Sequence, residues 1–368
     1  MRQPLINKFY FVHSGIICLK KVFNYSEKHI IMKKIRFILI LLLGSSFLFL
    51  HAQTAPALKI VNRIHCEGDE KWDYLFSDDQ SGYLYVSHGK MVQVIDQAKG
   101  EVIGKIEDLD GVHGITIAPS LHKGFISTKN DNSVTVFDTK TFKVIKKLVV
   151  DGKSPDAILF DSFSQKVFVF NGHSNNATVI NAENNEIVTN IALSGNPEFS
   201  ATNGKGKIYV NLESASSIAV INASTYKVEN VWSIAPGAEP TGLALDNETH
   251  RLFSVCANKL MVIVNAETGK VITSLPIGEK CDGAAFDPGL KFAYSSNGDK
   301  TITVIKEGIN DSFSVVENFP TQEGARTITV NKLTHHIYLP AADFEAAQTG
   351  QKGKIKPGTF VVLDIIAQ

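Results

Sequence analysis

Short runs of hydrophobic residues alternate with short polar stretches from about residue 58 to the end of the chain. The hydrophobic runs are rich in Val, Ile, Thr, Phe and Tyr, and the stretches between them are rich in Gly, Asn, Asp, Ser and Pro. β-Branched and aromatic residues bounded by turn-forming residues are typical of β-strands. The pattern therefore predicts an all-β domain that needs no helices.

The strand-like runs recur with a period of roughly 42 residues, which indicates a repeat architecture. A second register supports this period, because a β-rich run ends in Asp or Asn in six of the seven copies, as at Asp96, Asp138 and Asn181. A short Asx side chain bonds to nearby backbone and so suits a tight turn. One aromatic recurs in every copy, with spacings of 40, 43, 41, 44, 41 and 44: Tyr85, Phe125, Phe168, Tyr209, Phe253, Tyr294 and Tyr338.

Each repeat holds four strand-like runs, which predicts four antiparallel strands. In the second repeat these runs are residues 113–118, 124–128, 134–137 and 144–149. Seven such units fit a seven-bladed β-propeller, a single closed domain over residues 53–368. The predicted blades are approximately 66–111, 112–152, 153–195, 196–238, 239–280, 281–324 and 325–368.

The last repeat lacks its fourth strand, because only four residues follow Asp364. At the other end, residues 58–64 match the fourth-strand pattern of residues 142–148 and precede the first complete unit. Two terminal blades that met as unpaired edges would be prone to aggregation. We therefore expect the N-terminal strand to complete the seventh blade.

The repeats resemble the YVTN-type β-propeller family, and the chain is similar to its exported YncE-like members. The resemblance covers about residues 57–368 and rests on Leu84-Tyr-Val-Ser87, on residues 207–211, on the strand-end Asp residues and on Gly-x-Val turns such as 269–271. It implies a seven-bladed propeller in the cell envelope, and no single activity, since the family's shared residues are structural. Blade six departs from the pattern at Lys306, and blade seven carries an insertion around residues 341–358.

The N-terminus has the pattern of a secretory signal peptide over residues 32–52, preceded by a non-structural extension of residues 1–31. Residues 33–36 are mostly basic, residues 37–50 are apolar, and cleavage is expected after Ala52. The apolar stretch is short for a transmembrane helix. We therefore expect a periplasmic or secreted protein with no transmembrane anchor in the mature chain.

Removing this leader changes the charge of the chain. The whole sequence has 37 basic and 37 acidic residues. Residues 1–52 hold eight of the basic residues and one of the acidic residues, so the remaining chain has a net charge of about −7. An acidic chain lacks the basic surface of a non-specific nucleic-acid binder, which argues against a nucleic-acid partner. A composition of 44% hydrophobic and 20% charged residues excludes a disordered chain and a helical membrane bundle.

The candidate chemistry lies at one position of the repeat, just before each innermost strand. Clustered carboxylates and an imidazole there are suited to a divalent cation, the candidate cofactor. His113, Asp156 and Glu198, on consecutive blades, are the candidate metal ligands or catalytic residues. The alternative is an ion-pair cluster in which Arg326 neutralises its neighbours. The seven residues share one phase, so we expect them around one opening: Asp73, His113, Asp156, Glu198, Thr241, Asp282 and Arg326.

The loops between the second and third strands share this face, which we call the upper face. They add His88, Lys129, His173 and Glu213 as ligand-binding candidates, while the Asn residues around them suit turns.

Two cysteines are also predicted to lie on the upper face. Cys256 ends a second strand and Cys281 begins the innermost strand of the next blade, which makes them a candidate disulfide in an exported protein.

Function is less constrained than fold. The sequence contains no H-E-x-x-H, G-x-S-x-G or P-loop motif. The leading hypothesis is a non-enzymatic binding or scaffold module that engages a small polar ligand, a glycan or an envelope protein through the upper face. The alternative is a lactonase-type hydrolase, with or without a metal, in which His113, Asp156 and Glu198 polarise a carbonyl and activate water.

Overall fold

A computed structural model describes residues 57–346 and 353–367. These residues form 28 β-strands and three 3₁₀ helices, Pro119–Leu121, Gly172–Ser174 and Glu213–Ala215, and contain no α-helix. None of the helices in this part of the chain has the length and apolar character that crossing a membrane requires. The predicted leader, residues 1–52, lies outside the described residues.

The strands form seven four-stranded antiparallel sheets, which confirms the predicted seven-bladed β-propeller. β1 is Leu58–His65. Blade one contains β2 Trp72–Asp78, β3 Tyr83–His88, β4 Met91–Asp96 and β5 Glu101–Ile106. Blade two contains β6 Val112–Ala118, β7 Lys123–Thr128, β8 Ser133–Asp138 and β9 Val144–Val149. Blade three contains β10 Pro155–Asp161, β11 Lys166–Asn171, β12 Asn176–Asn181 and β13 Glu186–Ala192. Blades four to seven contain β14 Pro197–Thr202, β15 Lys207–Leu212, β16 Ser217–Asn222, β17 Lys227–Ser233; β18 Pro240–Asp246, β19 Arg251–Cys256, β20 Leu260–Asn265, β21 Val271–Pro276; β22 Cys281–Asp287, β23 Phe292–Asn297, β24 Thr301–Glu307, β25 Phe313–Pro320; β26 Thr329–Val330, β27 Ile337–Ala341 and β28 Val361–Ala367.

The N-terminal strand closes the ring, as predicted. β1 pairs antiparallel with β28, with Leu58 opposite Ala367 and His65 opposite Val361, and forms the outer strand of the seventh blade. The innermost strands of adjacent blades contact one another around the whole circle, and β26 contacts β2. The seventh blade therefore has four strands like the others, with β1 as its outer strand.

The recurring aromatic explains why the repeat is so regular. Its side chain lies in the second strand of each blade and is almost fully buried, for example 0% exposed at Tyr85 and Phe168 and 3% at Tyr209. Neighbouring blades cover both faces of the two middle strands, so these strands are buried over nearly their whole length and are mostly apolar. Burial of each such ring stabilises the fold by about 1.5–3 kcal/mol.

The Asp or Asn that ends the third strand of blades one to five holds the following turn. Asp138 Oδ1 accepts hydrogen bonds from the backbone N–H groups of Lys140 and Thr141 at 3.0 and 2.8 Å. Asn222 does the same for Ser224 and Thr225. These contacts give the repeated Asx position its physical reason.

A β-bulge at the start of most innermost strands matters for the site. The register in β2 shifts between Trp72 and Leu75, and the same shift recurs at the start of β6, β10, β14, β18 and β22. Trp72 lies opposite His88, so the starts of innermost strands and the ends of second strands share the upper face. Bulges turn a side chain out of the pleat, and here they bring the residues before the regular ladder to the channel mouth.

Candidate functional site

The site is the set of seven residues at the upper mouth of the channel, called the ring cluster below. Its side chains are mostly buried where the structure pairs them, with 13% of Asp73, 20% of His113 and 19% of Asp156 exposed. Six of the seven are ionisable, and only Thr241 is not.

Five members form a continuous chain of alternating charge across blades six, seven, one, two and three. Arg326 contacts Asp282 and lies 3.2 Å from Asp73 Oδ1. His113 Nδ1 lies 2.5 Å from Asp73 Oδ2 and 3.3 Å from Asp156 Oδ1. These contacts join an imidazole to carboxylates on both sides, so they are ion pairs when His113 is protonated. Arg326 thus neutralises its neighbours, as the ion-pair alternative expected, and His113 extends that chain.

The chain shifts the pKa values of its members in opposite directions. Burial alone would lower the pKa of His113, but Asp156 and Asp73 stabilise the imidazolium and raise it to about 10. Burial alone would raise the pKa of Asp156, but the contact with His113 and the charge of Lys129 hold it below its usual value. At neutral pH His113 is therefore a cation between two carboxylates.

Glu198 stands at the end of this chain without a cation of its own. Burial, and then the charges of Asp156 and Glu213, raise its pKa to about 8, although Lys129 opposes the shift. Asn196 Nδ2 donates to Glu198 Oε1 at 3.4 Å and to Glu213 Oε2 at 2.8 Å. A carboxyl in this position carries a proton at neutral pH and can donate a hydrogen bond.

Two aromatic side chains lie one residue beyond the ring cluster, on blades one and four. Tyr74 and Phe199 stack with their ring centroids 4.5 Å apart and their planes 29° apart. Burial and the nearby charges of Asp156 and Glu198 raise the pKa of the Tyr74 hydroxyl well above its ordinary value. Because these blades face each other across the channel, the pair forms a floor beneath the ring cluster. Trp72 instead packs against Phe360 of blade seven.

The structure changes the grouping of the candidate metal ligands. One ligand atom each of Asp73, His113 and Asp156 lies within 4.8 Å of the others, and Glu198 is outside this group. An imidazole and two carboxylates this close have the donor set that a divalent cation takes. In the described chain, however, His113 and Arg326 already pair with these carboxylates, so the residues do not require a metal.

The loop candidates divide between the site and the scaffold. Lys129 and Glu213 lie near enough to Glu198 to act on its charge. His173 is exposed in a 3₁₀ turn on the same face. His88 is fully buried, and its Nδ1 and Nε2 lie 2.8 Å from the carbonyl oxygens of Glu67 and Glu70. His88 therefore fixes the loop between β1 and β2 and is not free to hold a ligand.

The cysteines are neighbours but are not joined. Cys256 and Cys281 are buried free thiols, and Cys281 Sγ lies 3.1 Å from the carbonyl oxygen of Cys256. Burial raises the pKa of Cys256 to about 11 and that of Cys281 to about 12, which disfavours the reactive thiolate. The candidate disulfide is not formed in the structure, and the sulfur of Cys281 contacts backbone.

Sequence reasoning missed three features of this face. Asn196 and Tyr74 contact the ring cluster, but their positions carry no repeat-wide signal. The blade-seven insertion was noticed only as a departure from the repeat. It borders an open groove of about 400 Å³, whereas a smaller cavity of about 200 Å³ lies on the opposite, lower face.

The comparisons with known proteins define the class, a seven-bladed β-propeller, and show the fold alone. No family model matches the chain, and no curated protein matches it. The structure is similar to Kuenenia stuttgartiensis hydrazine synthase, with a TM-score of 0.62 and 17% identity over 75% of this chain and 94% of that one. It is also similar to the WD40 repeats of RRP9 (TM-score 0.71, 9% identity, 85% and 99% covered) and to U3-55K (TM-score 0.69, 8% identity, 84% and 98% covered).

Proposed function

We propose that this protein is a binding module that holds a small polar ligand at the channel mouth, through the Glu198 end of the ring cluster. A propeller is a rigid ring that displays loops on one face, which is compatible with a binding or scaffold role. Within the ring, most ionic groups are already paired. The position left for a ligand is where that pairing stops.

The observation that carries the proposal is the unpaired state of Glu198. Asp282, Arg326, Asp73, His113 and Asp156 form ion pairs with one another, whereas Glu198 forms none with the residues that the structure describes. Burial, and then the charges of Asp156 and Glu213, raise its pKa to about 8, so it keeps its proton at neutral pH. A ligand ammonium group would replace that proton and pair with the carboxylate. A ligand hydrogen-bond acceptor would instead accept a hydrogen bond from the protonated carboxyl. The aromatic floor offers an apolar surface to the rest of the ligand.

The test is a binding screen with matched variants. Amino acids, polyamines and hydroxy acids are each titrated into the protein by calorimetry, and the affinity of any binder is measured again in Glu198→Gln and His113→Gln. Loss of one charged contact in a partly buried site is expected to weaken binding by about tenfold or more. Glu183→Gln, which changes an exposed carboxylate on the lower face, is the control and is expected to have no effect. A panel with no binder, or a binder indifferent to both ring variants, contradicts the proposal.

The same proposal places the protein in the periplasm or outside the cell, as an exported YncE-like member of the YVTN-type family. Its support is the signal-peptide pattern of residues 32–52 and the repeat sequence itself. In that setting a glycan or an envelope protein is the larger partner for the upper face. N-terminal sequencing of the protein from the native cell fraction tests this part, since export predicts a chain that begins at Gln53.

A lactonase-type hydrolase is the alternative, and one observation favours it. Glu198 is the ring carboxyl whose pKa, about 8, suits general acid–base catalysis near neutral pH. His113 cannot accept a proton there because it is already an imidazolium. Turnover of a lactone panel that disappears in Glu198→Gln supports a hydrolase, and saturable binding without product supports the binding module.

A further inference from the structure

A second site lies at the edge of the upper face, where the insertion of blade seven departs from the repeat. The insertion joins β27 to β28 and passes back along itself, with an antiparallel bridge between Phe344 and Ile355. Backbone hydrogen bonds from Glu345 N to Lys354 O and from Lys356 N to Asp343 O, both 2.8 Å, extend this pairing. Residues 347–352 of the insertion lie outside the described residues.

The insertion is anchored to the propeller at its base. Phe344 packs on Trp72, with ring centroids 6.1 Å apart, and Trp72 Nε1 donates to Gly324 O at 3.2 Å. Gly358 N donates to Asp69 Oδ1 at 2.7 Å. The base of the insertion and the segment that leads to Arg326 therefore form two fixed walls, and the groove of about 400 Å³ lies between them.

The groove carries hydrogen-bonding groups of both kinds. Gln322 is held in place, since its Oε1 accepts from Arg63 Nη1 at 2.5 Å and its Nε2 donates to Asp343 Oδ1 at 3.0 Å. Lys300 pairs with Glu323 at 3.1 Å, whereas Lys356 forms no ion pair with the residues that the structure describes. The buried Oγ1 of Thr321, also in the lining, has no hydrogen-bond partner within this part of the chain.

We infer that this groove binds a saccharide of one or two rings, with the apolar face of one sugar ring on Phe344 and its hydroxyls on Gln322, Asp343 and Lys356. Vicinal hydroxyls both donate and accept, which matches a lining of amide, carboxylate and ammonium groups. A half-buried aromatic beside them suits the C–H face of a sugar. The volume lies at the lower end of the range for small-molecule sites. This site shares no residue with the ring cluster, so saccharide binding here is independent of the ligand proposed at Glu198.

The test uses glucose, N-acetylglucosamine, glucuronic acid and their β-linked disaccharides as separate probes. Saturation-transfer NMR and calorimetry are expected to detect at least one binder with a millimolar or tighter dissociation constant. Affinity should fall by about tenfold in Phe344→Ala and in Lys356→Ala. Lys356 is exposed, so its variant tests the site even if removal of Phe344 disturbs the insertion.

Two control variants distinguish binding in the groove from binding elsewhere on the propeller. Phe163→Ala removes an aromatic that is 53% exposed on the lower face, and Glu198→Gln alters the ring cluster, so both variants should bind the saccharide as the unmodified protein does. The inference is overturned if none of the probes binds, or if a binder keeps its affinity in both groove variants. Loss of saccharide binding in Glu198→Gln alone assigns the ligand to the ring cluster and also overturns it.

Discussion

Glu198 shows how a single residue acquires its properties from its neighbours around a ring. Each blade contributes one side chain at the same height, so the character of any member depends on the members on either side. Asp73 has a cation on both sides, in Arg326 and His113, whereas Glu198 has Asp156 on one side and the neutral Thr241 on the other.

Glu198→Gln is expected to change the pH dependence of stability in a defined direction. A carboxyl whose pKa rises to about 8 on folding stabilises the protein fully below its unfolded pKa of about 4.3, and this contribution is lost as the pH rises through 8. Glutamine does not titrate. Between about pH 4.5 and pH 9, the free energy of unfolding of the unmodified protein should therefore fall on the order of 2–4 kcal/mol more than that of the variant.

Urea unfolding at several pH values measures this difference. Glu183→Gln, with its exposed side chain, should follow the unmodified protein throughout. His113 also titrates in the alkaline range, but it does so in all three proteins, so the comparison isolates Glu198. Parallel pH profiles for Glu198→Gln and the unmodified protein would show that the carboxyl is not buried as described.

At the scale of the element, the sequence predicted strands and their order well because each repeat samples the same environment. The strands predicted for the second blade match β6 to β9 within one residue at each end, and the closing role of β1 is as expected. Site contacts were harder, because they depend on single residues. His88 lies at a repeat position where we expected ligand-binding loop residues. Its two ring nitrogens instead contact backbone carbonyl oxygens of the loop between β1 and β2, and the repeat pattern does not predict the path of that loop.

Removal of β1 is expected to open the ring. A chain that begins at residue 66 loses the pairing with β28 and the buried side chains of Leu58 and Ile64, and it leaves β28 as an unpaired edge. Loss of two buried aliphatic side chains alone costs about 4–10 kcal/mol. We expect a melting temperature lower by many degrees in calorimetry, with self-association in size-exclusion chromatography. A chain that begins at residue 57 is the control, and equal melting temperatures for the two chains would contradict a closing role for β1.

At the scale of the whole molecule, closure makes the seven blades nearly equivalent. Every blade covers the next through its innermost strands, and the ring cluster collects one side chain from each blade. The architecture of the ring therefore does not depend on which blade contains the first and last strands of the propeller. The outer strand of any blade is suited to the closing role that β1 fills in blade seven, because each pairs antiparallel with its third strand in the same way.

A circular permutation tests this equivalence. Leu58 lies directly opposite Ala367, so a two-residue Asn-Gly turn can join them as a hairpin. New termini in the 139–143 turn then make β9 an N-terminal strand that closes blade two, as β1 closes blade seven. We expect the permutant to have the circular dichroism spectrum of the parent and one cooperative unfolding transition. Its melting temperature should lie within a few degrees of that of the parent, because one short loop is exchanged for another. A control permutation opened between Phe125 and Ile126, both fully buried in β7, should fail to fold. If the two permutants behave alike, the native junction has a role in the fold that the other blades cannot supply.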